Sequence, residues 1–210
     1  MSHDGAPPLR YLALGDSYTI GEGIEPAARW PLQLTRALRA EGVALDDPLI
    51  IATTGWTTDE LDAAIDAAPP DGVFDLVSLL IGVNNQYRGR DVVQYRHQLD
   101  GLLARAAGFA DGRAGRVLVL SIPDWGVTPF ARQSGRDRAQ IARELDAHNA
   151  AAREACEARG IAFVDITSAS RARGGEVEML AEDGLHPSAA MYAQWTRLAL
   201  PAARRLLSRP

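Results

Sequence analysis

The sequence predicts an α/β fold, a three-layer α/β/α sandwich built on a parallel sheet. Two observations carry this: five short apolar runs alternate with longer amphipathic stretches, and the runs are apolar almost throughout. A strand apolar on both faces is buried on both faces, which happens where helices cover both sides of a parallel sheet. The strands are expected at 9–15 (LRYLALG), 48–53 (PLIIAT), 74–81 (FDLVSLLI), 116–122 (RVLVLSI) and 161–166 (IAFVDI). Helical periodicity falls at 29–41, 58–68, 91–110, 136–159 and 187–207, the last with a kink expected at Pro201, which lacks an N–H. Two long connections remain, 123–135 and 168–187. Long loops in such folds carry function more often than structure. With 210 residues and no repeat or linker, one domain spanning 1–210 is expected.

Composition narrows the function classes. A net charge of −5 lacks the basic footprint of a phosphate-backbone binder, so no nucleic-acid partner is expected. The longest apolar run, LVSLLIGV, is too short to cross a bilayer as a helix, so no stable membrane insertion is expected. The start, MSHDGAPPLR, has no signal-peptide pattern, and the expectation is a cytoplasmic protein. Cys156, the single cysteine, sits in a helical pattern, and His3, His97, His148 and His186 have no ligand spacing. No metal site and no cofactor are expected. All 22 basic residues are arginine. The absence of lysine removes Schiff-base chemistry and the phosphate-loop lysine.

In an open parallel sheet, ligands sit beyond the carboxyl ends of the strands. The segments that follow the five strands are GDSYTIGEG, TTGWTT, GVNNQY, PDWGVTP and, beyond a further loop, EDGLHPS. The first is not a phosphate cradle. Gly15 and Gly21 have the outer spacing of such a loop, but Glu22 stands where its lysine would be, and the glycine spacing of a dinucleotide fingerprint also fails. A nucleophile reading fits better. Ser17, just past a strand end, can expose its hydroxyl in the turn and offer its own N–H to an oxyanion, although serine is also a common turn former. His186, three residues after Asp183, can use one ring nitrogen on that carboxylate and turn the other to Ser17; the bland alternative is a surface pair capping the final helix. Asn84 and Gly55 on the same edge offer an amide and a backbone donor for the oxyanion, the alternative being that either is only a turn residue.

These segments, in this order, resemble the SGNH hydrolases, also called GDSL esterases and lipases, over nearly the whole chain. The resemblance implies a flavodoxin-like sheet of order 2-1-3-4-5. It implies Ser17 as nucleophile, Ser17, Gly55 and Asn84 as oxyanion donors, His186 as base and Asp183 as its orienter. The reaction implied is ester cleavage through an acyl-enzyme, with short-acyl esters, lysophospholipids, thioesters or acetylated carbohydrates as substrates. Tyr18 replaces the family's leucine, Asn85 its aspartate, and Trp56 the small residue after Gly55. Asn85 is expected to face away from substrate and brace its loop. Trp56 and Trp125, which follow different strands on this edge, are read as walls of the substrate pocket, with core residues as the alternative, since aromatics are more often core. Asp16 is expected to shape the nucleophile turn through backbone amides. The rival reading is a non-catalytic carbohydrate- or small-ligand-binding module on the same fold. Oligomeric state is not written in these motifs.

Overall fold

The computed structural model describes residues 7–208. The N-terminal stretch inspected for a leader, with His3, lies largely outside the described residues. In chain order the elements are β1 (Tyr11–Gly15), α1 (Ser17–Ile20), α2 (Trp30–Ala40), β2 (Leu49–Ala52), α3 (Thr58–Ala67), β3 (Leu76–Leu80) and α4 (Val83–Tyr87). They continue with α5 (Val92–Phe109), β4 (Val117–Leu120), α6 (Pro129–Gln133), α7 (Arg138–Arg159), β5 (Ala162–Val164), α8 (Thr167–Arg173) and α9 (Ala189–Leu207). The sheet is parallel with order β2-β1-β3-β4-β5. α2 packs on α9 over one face, while α3, α5 and α7 pack side by side over the other.

Local chemistry sets the helix ends. Asp91, Asp137 and Ser188 accept hydrogen bonds from the first turns of α5, α7 and α9, and Gly160 closes α7 in the left-handed region. Thr57 and Glu60 form a capping box at the start of α3. All five long helices begin and end within two residues of the expected bounds. α9 runs on through Pro201 to Leu207 as one helix.

The core runs along the inner strands. Leu12, Leu14, Val77, Leu79, Leu118 and Val119 are buried, with Trp30 and Trp195 filling the space toward α2 and α9. The expectation that every strand is buried on both faces holds for β1, β3 and β4 and fails at the edges. β5 is only partly buried, and Leu49 of β2 is 46% exposed, because an edge strand has a neighbour on one side only. The register aligns Gly15 with Ala52 and Leu80, and Leu120 with Val164. The strands therefore end at a common level, and the five motif-bearing segments leave from one edge.

Two expected loops contain helix. α6 lies within 123–135, and α8 occupies the start of 168–187. α1 and α4, directly after β1 and β3, were likewise not expected as helices. Each is shorter than two turns or close to it, too short to display a 3.6-residue period.

Candidate active site

β1 delivers the chain into a tight turn at Gly15 that only glycine fits. A Cβ there would lie 2.3 Å from Thr19 Oγ1 and 2.5 Å from the Leu80 carbonyl oxygen. Asp16 then caps α1, its Oδ1 accepting from Tyr18 N at 3.0 Å, which is the turn-shaping role expected for it. Ser17 is the first residue of α1, so its N–H belongs to those that a helix leaves without an internal acceptor.

Burial raises the Asp16 carboxyl to about 7, against the pull of the Tyr18, Asp16 and Gly82 backbone N–H groups. A folded value above the ordinary 3.8 means that the native state binds this proton more tightly than the unfolded chain. The stabilisation is complete below the ordinary value, shrinks as pH rises between the two, and is gone above about 7. Asp16→Asn keeps an acceptor for Tyr18 N and has no proton to lose. Its stability relative to the parent is expected to rise by on the order of 4 kcal/mol between about pH 4 and about pH 8. Urea unfolding of both proteins at the two pH values measures this; a pH-independent difference would contradict it.

His186 is held on a pinned loop. Leu180 and Pro187 form an antiparallel bridge, Ala181 N donates to the His186 carbonyl at 2.7 Å, and Ser188 N donates to the Met179 carbonyl at 2.9 Å. Asp183 Oδ1 accepts from the backbone N–H groups of Leu185 and His186, both at 2.9 Å. Its Oδ2 lies 2.5 Å from His186 Nδ1. A carboxylate only accepts, so Nδ1 carries the proton and Nε2 of the neutral ring keeps its lone pair. Partial burial pulls the Asp183 carboxyl up, but the bonds from the His186 ring and the two N–H groups outweigh it and hold the group below its ordinary value. Tyr18 meets the imidazole edge to face, with centroids 5.8 Å apart.

Asn84 is the second residue of α4, and Gly55 follows β2. Asn84 Nδ2 donates to the Trp56 carbonyl at 2.9 Å, which uses one of its two hydrogens. Gly55 has φ +89, a conformation that favours glycine, and its carbonyl accepts from Arg88. Asn85 turns away, fully buried: it accepts from Thr58 N at 3.1 Å and donates to Thr58 Oγ1 at 2.7 Å, bracing the start of α3 as expected.

One cavity of about 230 Å³ gathers Ser17, Gly55, Asn84, Trp125 and His186. Trp56 is not among its lining residues, which corrects the expectation of two bracketing tryptophans. It packs partly buried against the core, and the wall beside Trp125 is supplied by Tyr87, Phe130, Val83 and Leu185. Trp125 is locked by its Nε1 donating to Gln86 Oε1 at 2.8 Å, and the Arg136 guanidinium lies 5.3 Å from its ring centre and 5.6 Å from that of Tyr87. Sequence reasoning missed Tyr87 and Phe130 because both lie in short helices without a periodic signal. Outside this site, Cys156 is buried in α7, its thiol pushed up to about 12 by burial, as its helical setting implied.

The sequence model of the GDSL-like lipase/acylhydrolase family matches residues 13–194. The chain belongs to this family. This GDSL-like hydrolase is accordingly a serine hydrolase of carboxylic esters, and the reading as a non-catalytic binding module is set aside. No curated protein sequence matches it. Solved structures share its fold at low identity. TesA superposes with a TM-score of 0.71 at 20% identity, covering 94% of this chain and 99% of TesA. A variant of Axe2, an acetyl xylan esterase from Geobacillus stearothermophilus, gives 0.68 at 19%, covering 97% and 98%. The psychrotrophic esterase EstA from Pseudoalteromonas sp. gives 0.67 at 16%, covering 95% and 99%. Among the described residues of the GDSL-like hydrolase, no helix is long and apolar enough to cross a membrane.

Proposed function

We propose that this chain acts as a single hydrolase domain in which Ser17 is the nucleophile, His186 the general base and Asp183 its orienter. The observation that carries this is the 2.5 Å contact of Asp183 with His186 Nδ1, made by a histidine that lines the same cavity as Ser17. Nε2 takes the proton as Ser17 Oγ attacks the ester carbonyl. Charge then gathers on the carbonyl oxygen, where the N–H groups of Ser17 and Gly55 and the second hydrogen of Asn84 Nδ2 receive it. Collapse expels the alcohol, which leaves with the proton from His186. Water, activated by the same imidazole, hydrolyses the acyl-enzyme.

The substrates we propose are short-acyl esters. At about 230 Å³ the cavity lies below the usual range for drug-sized ligands, and Trp125, buried and doubly anchored, closes its apolar side. The acetyl xylan esterase of this fold leaves acetylated sugars as a class to test alongside simple esters, and the family resemblance adds thioesters and lysophospholipids. A fluorophosphonate is expected to add to Ser17 alone, seen by intact mass and peptide mapping. p-Nitrophenyl acetate is expected to turn over faster than the octanoate, with Trp125→Ala narrowing the gap. An unlabelled Ser17 would end the nucleophile assignment, and a preference for the octanoate would end the short-acyl reading.

A further inference from the structure

The proposed oxyanion donors stand on separate segments, Gly55 after β2 and Asn84 at the head of α4, and their relative position has to be maintained by something other than chain connectivity. One link is the bond from Asn84 Nδ2 to the Trp56 carbonyl. The second is Arg88. It caps the end of α4, its N–H bonding to the Asn84 carbonyl oxygen at 3.0 Å. Its side chain reaches back so that Nη2 donates to the Gly55 carbonyl at 2.7 Å and Nη1 to Glu60 Oε1 at 3.1 Å. The other oxygen of Glu60 receives Thr57 N at 2.9 Å and Thr57 Oγ1 at 3.0 Å.

Gly55 needs such a contact. With φ +89 it has left-handed backbone, and a Cβ placed there would meet nothing nearer than Arg88 Nη2, at 3.9 Å. Neither side-chain packing nor steric restriction sets the direction of its peptide groups; besides the turn bond from Trp56 N to the Thr53 carbonyl at 3.3 Å, a hydrogen bond to its carbonyl has to set it. A planar guanidinium that donates to two acceptors at a fixed angle does so, and a point charge does not reproduce it. Arg88 does not line the cavity, so it acts through Gly55 and not on the substrate.

We propose that Arg88 is a positioning residue of the oxyanion hole, bridging Gly55 to the helix that carries Asn84 and to the α3 cap at Glu60. The inference rests on the reading of Gly55 and Asn84 as oxyanion donors. The alternative role for Arg88 is that of a surface ion pair with Glu60, both side chains being about two-fifths exposed, which would touch stability weakly and catalysis not at all. The experiment compares the parent, Arg88→Ala and Arg88→Lys for kcat and KM on p-nitrophenyl acetate, for melting temperature, and with guanidinium ion added at low concentration. Arg88→Ala is expected to lose about 10- to 100-fold in kcat with KM little changed, because a donor moved by a fraction of its contact distance fails mainly in the transition state. Added guanidinium is expected to restore part of that loss in Arg88→Ala, and lysine at the position to restore little of it, since a point charge lacks the planar fork. An unchanged kcat, a loss confined to KM, a loss that guanidinium does not relieve, or full activity in Arg88→Lys would overturn the inference. Fluorophosphonate labelling of the parent separates the two layers: a parent that turns over substrate and is labelled at Ser17 sustains the proposed function whatever Arg88 does, whereas an inert, unlabelled parent overturns both.

Discussion

Ser17→Ala is expected to remove essentially all turnover of p-nitrophenyl acetate, a loss on the order of 10⁶-fold in kcat, while the protein stays folded. The magnitude follows from the step lost. Without Oγ there is no acyl-enzyme, and what survives is the electrostatic help of the oxyanion donors to direct attack by water. The fold is expected to survive because the change deletes one oxygen from the first residue of α1, whose cap, Asp16 to Tyr18 N, and whose closing bond, Gly21 N to the Ser17 carbonyl, involve other atoms. His186→Ala is expected to cost a similar amount. The double variant is expected to be no worse than either single one, since nucleophile and base act as a unit and their effects do not add. Kinetics on the purified variants, with circular dichroism to verify folding, test this. Retained turnover in Ser17→Ala would remove the nucleophile assignment, and additive losses in the double variant would show that the two residues act independently.

Asn84→Ala and its neighbour Asn85→Ala are expected to fail in different ways. Asn84 Nδ2 has one hydrogen on the Trp56 carbonyl, and in the proposed mechanism the other meets the carbonyl oxygen of the substrate, an interaction that strengthens only as that oxygen gains charge. Its removal is expected to lower kcat by about 10²–10³-fold with KM little changed. Asn85 is fully buried and bonds both Thr58 N and Thr58 Oγ1, so its truncation leaves the buried Thr58 N–H without an acceptor, while the hydroxyl keeps only its bond to Gln98 Oε1. The expected result is a loss of about 1–3 kcal/mol in stability with kcat much less affected. Measuring kcat, KM and melting temperature for both variants decides the matter. Equal losses of kcat, or the larger loss at Asn85, would mean that the wrong asparagine has been assigned to the substrate.

The same pair shows where sequence reasoning reaches its limit. Long helices and strands were readable because their signals are local: apolar runs for strands, a 3.6-residue period and caps such as Asp91, Asp137 and Ser188 for helices. The parallel, doubly covered sheet followed from the apolar character of those runs, and the place of Ser17, Gly55, Asn84, Asp183 and His186 on one edge followed from their positions after strands. The strand order came through the resemblance those motifs carry. The lack of lysine excluded whole classes of chemistry without any fold at all. Tertiary structure alone decided what lies beside what. Trp56 follows a strand as Trp125 does, yet it packs against the core while Tyr87 and Phe130 reach the cavity. Arg88 sits 33 residues from the Gly55 carbonyl it holds, and nothing in its neighbourhood marks that bond. Side-chain direction in these segments is set by helices of five residues, α4 and α6, which are too short to carry a period, and by the alignment of strand ends across the sheet. Contacts between distant segments depend on that alignment, and no local stretch of sequence contains it.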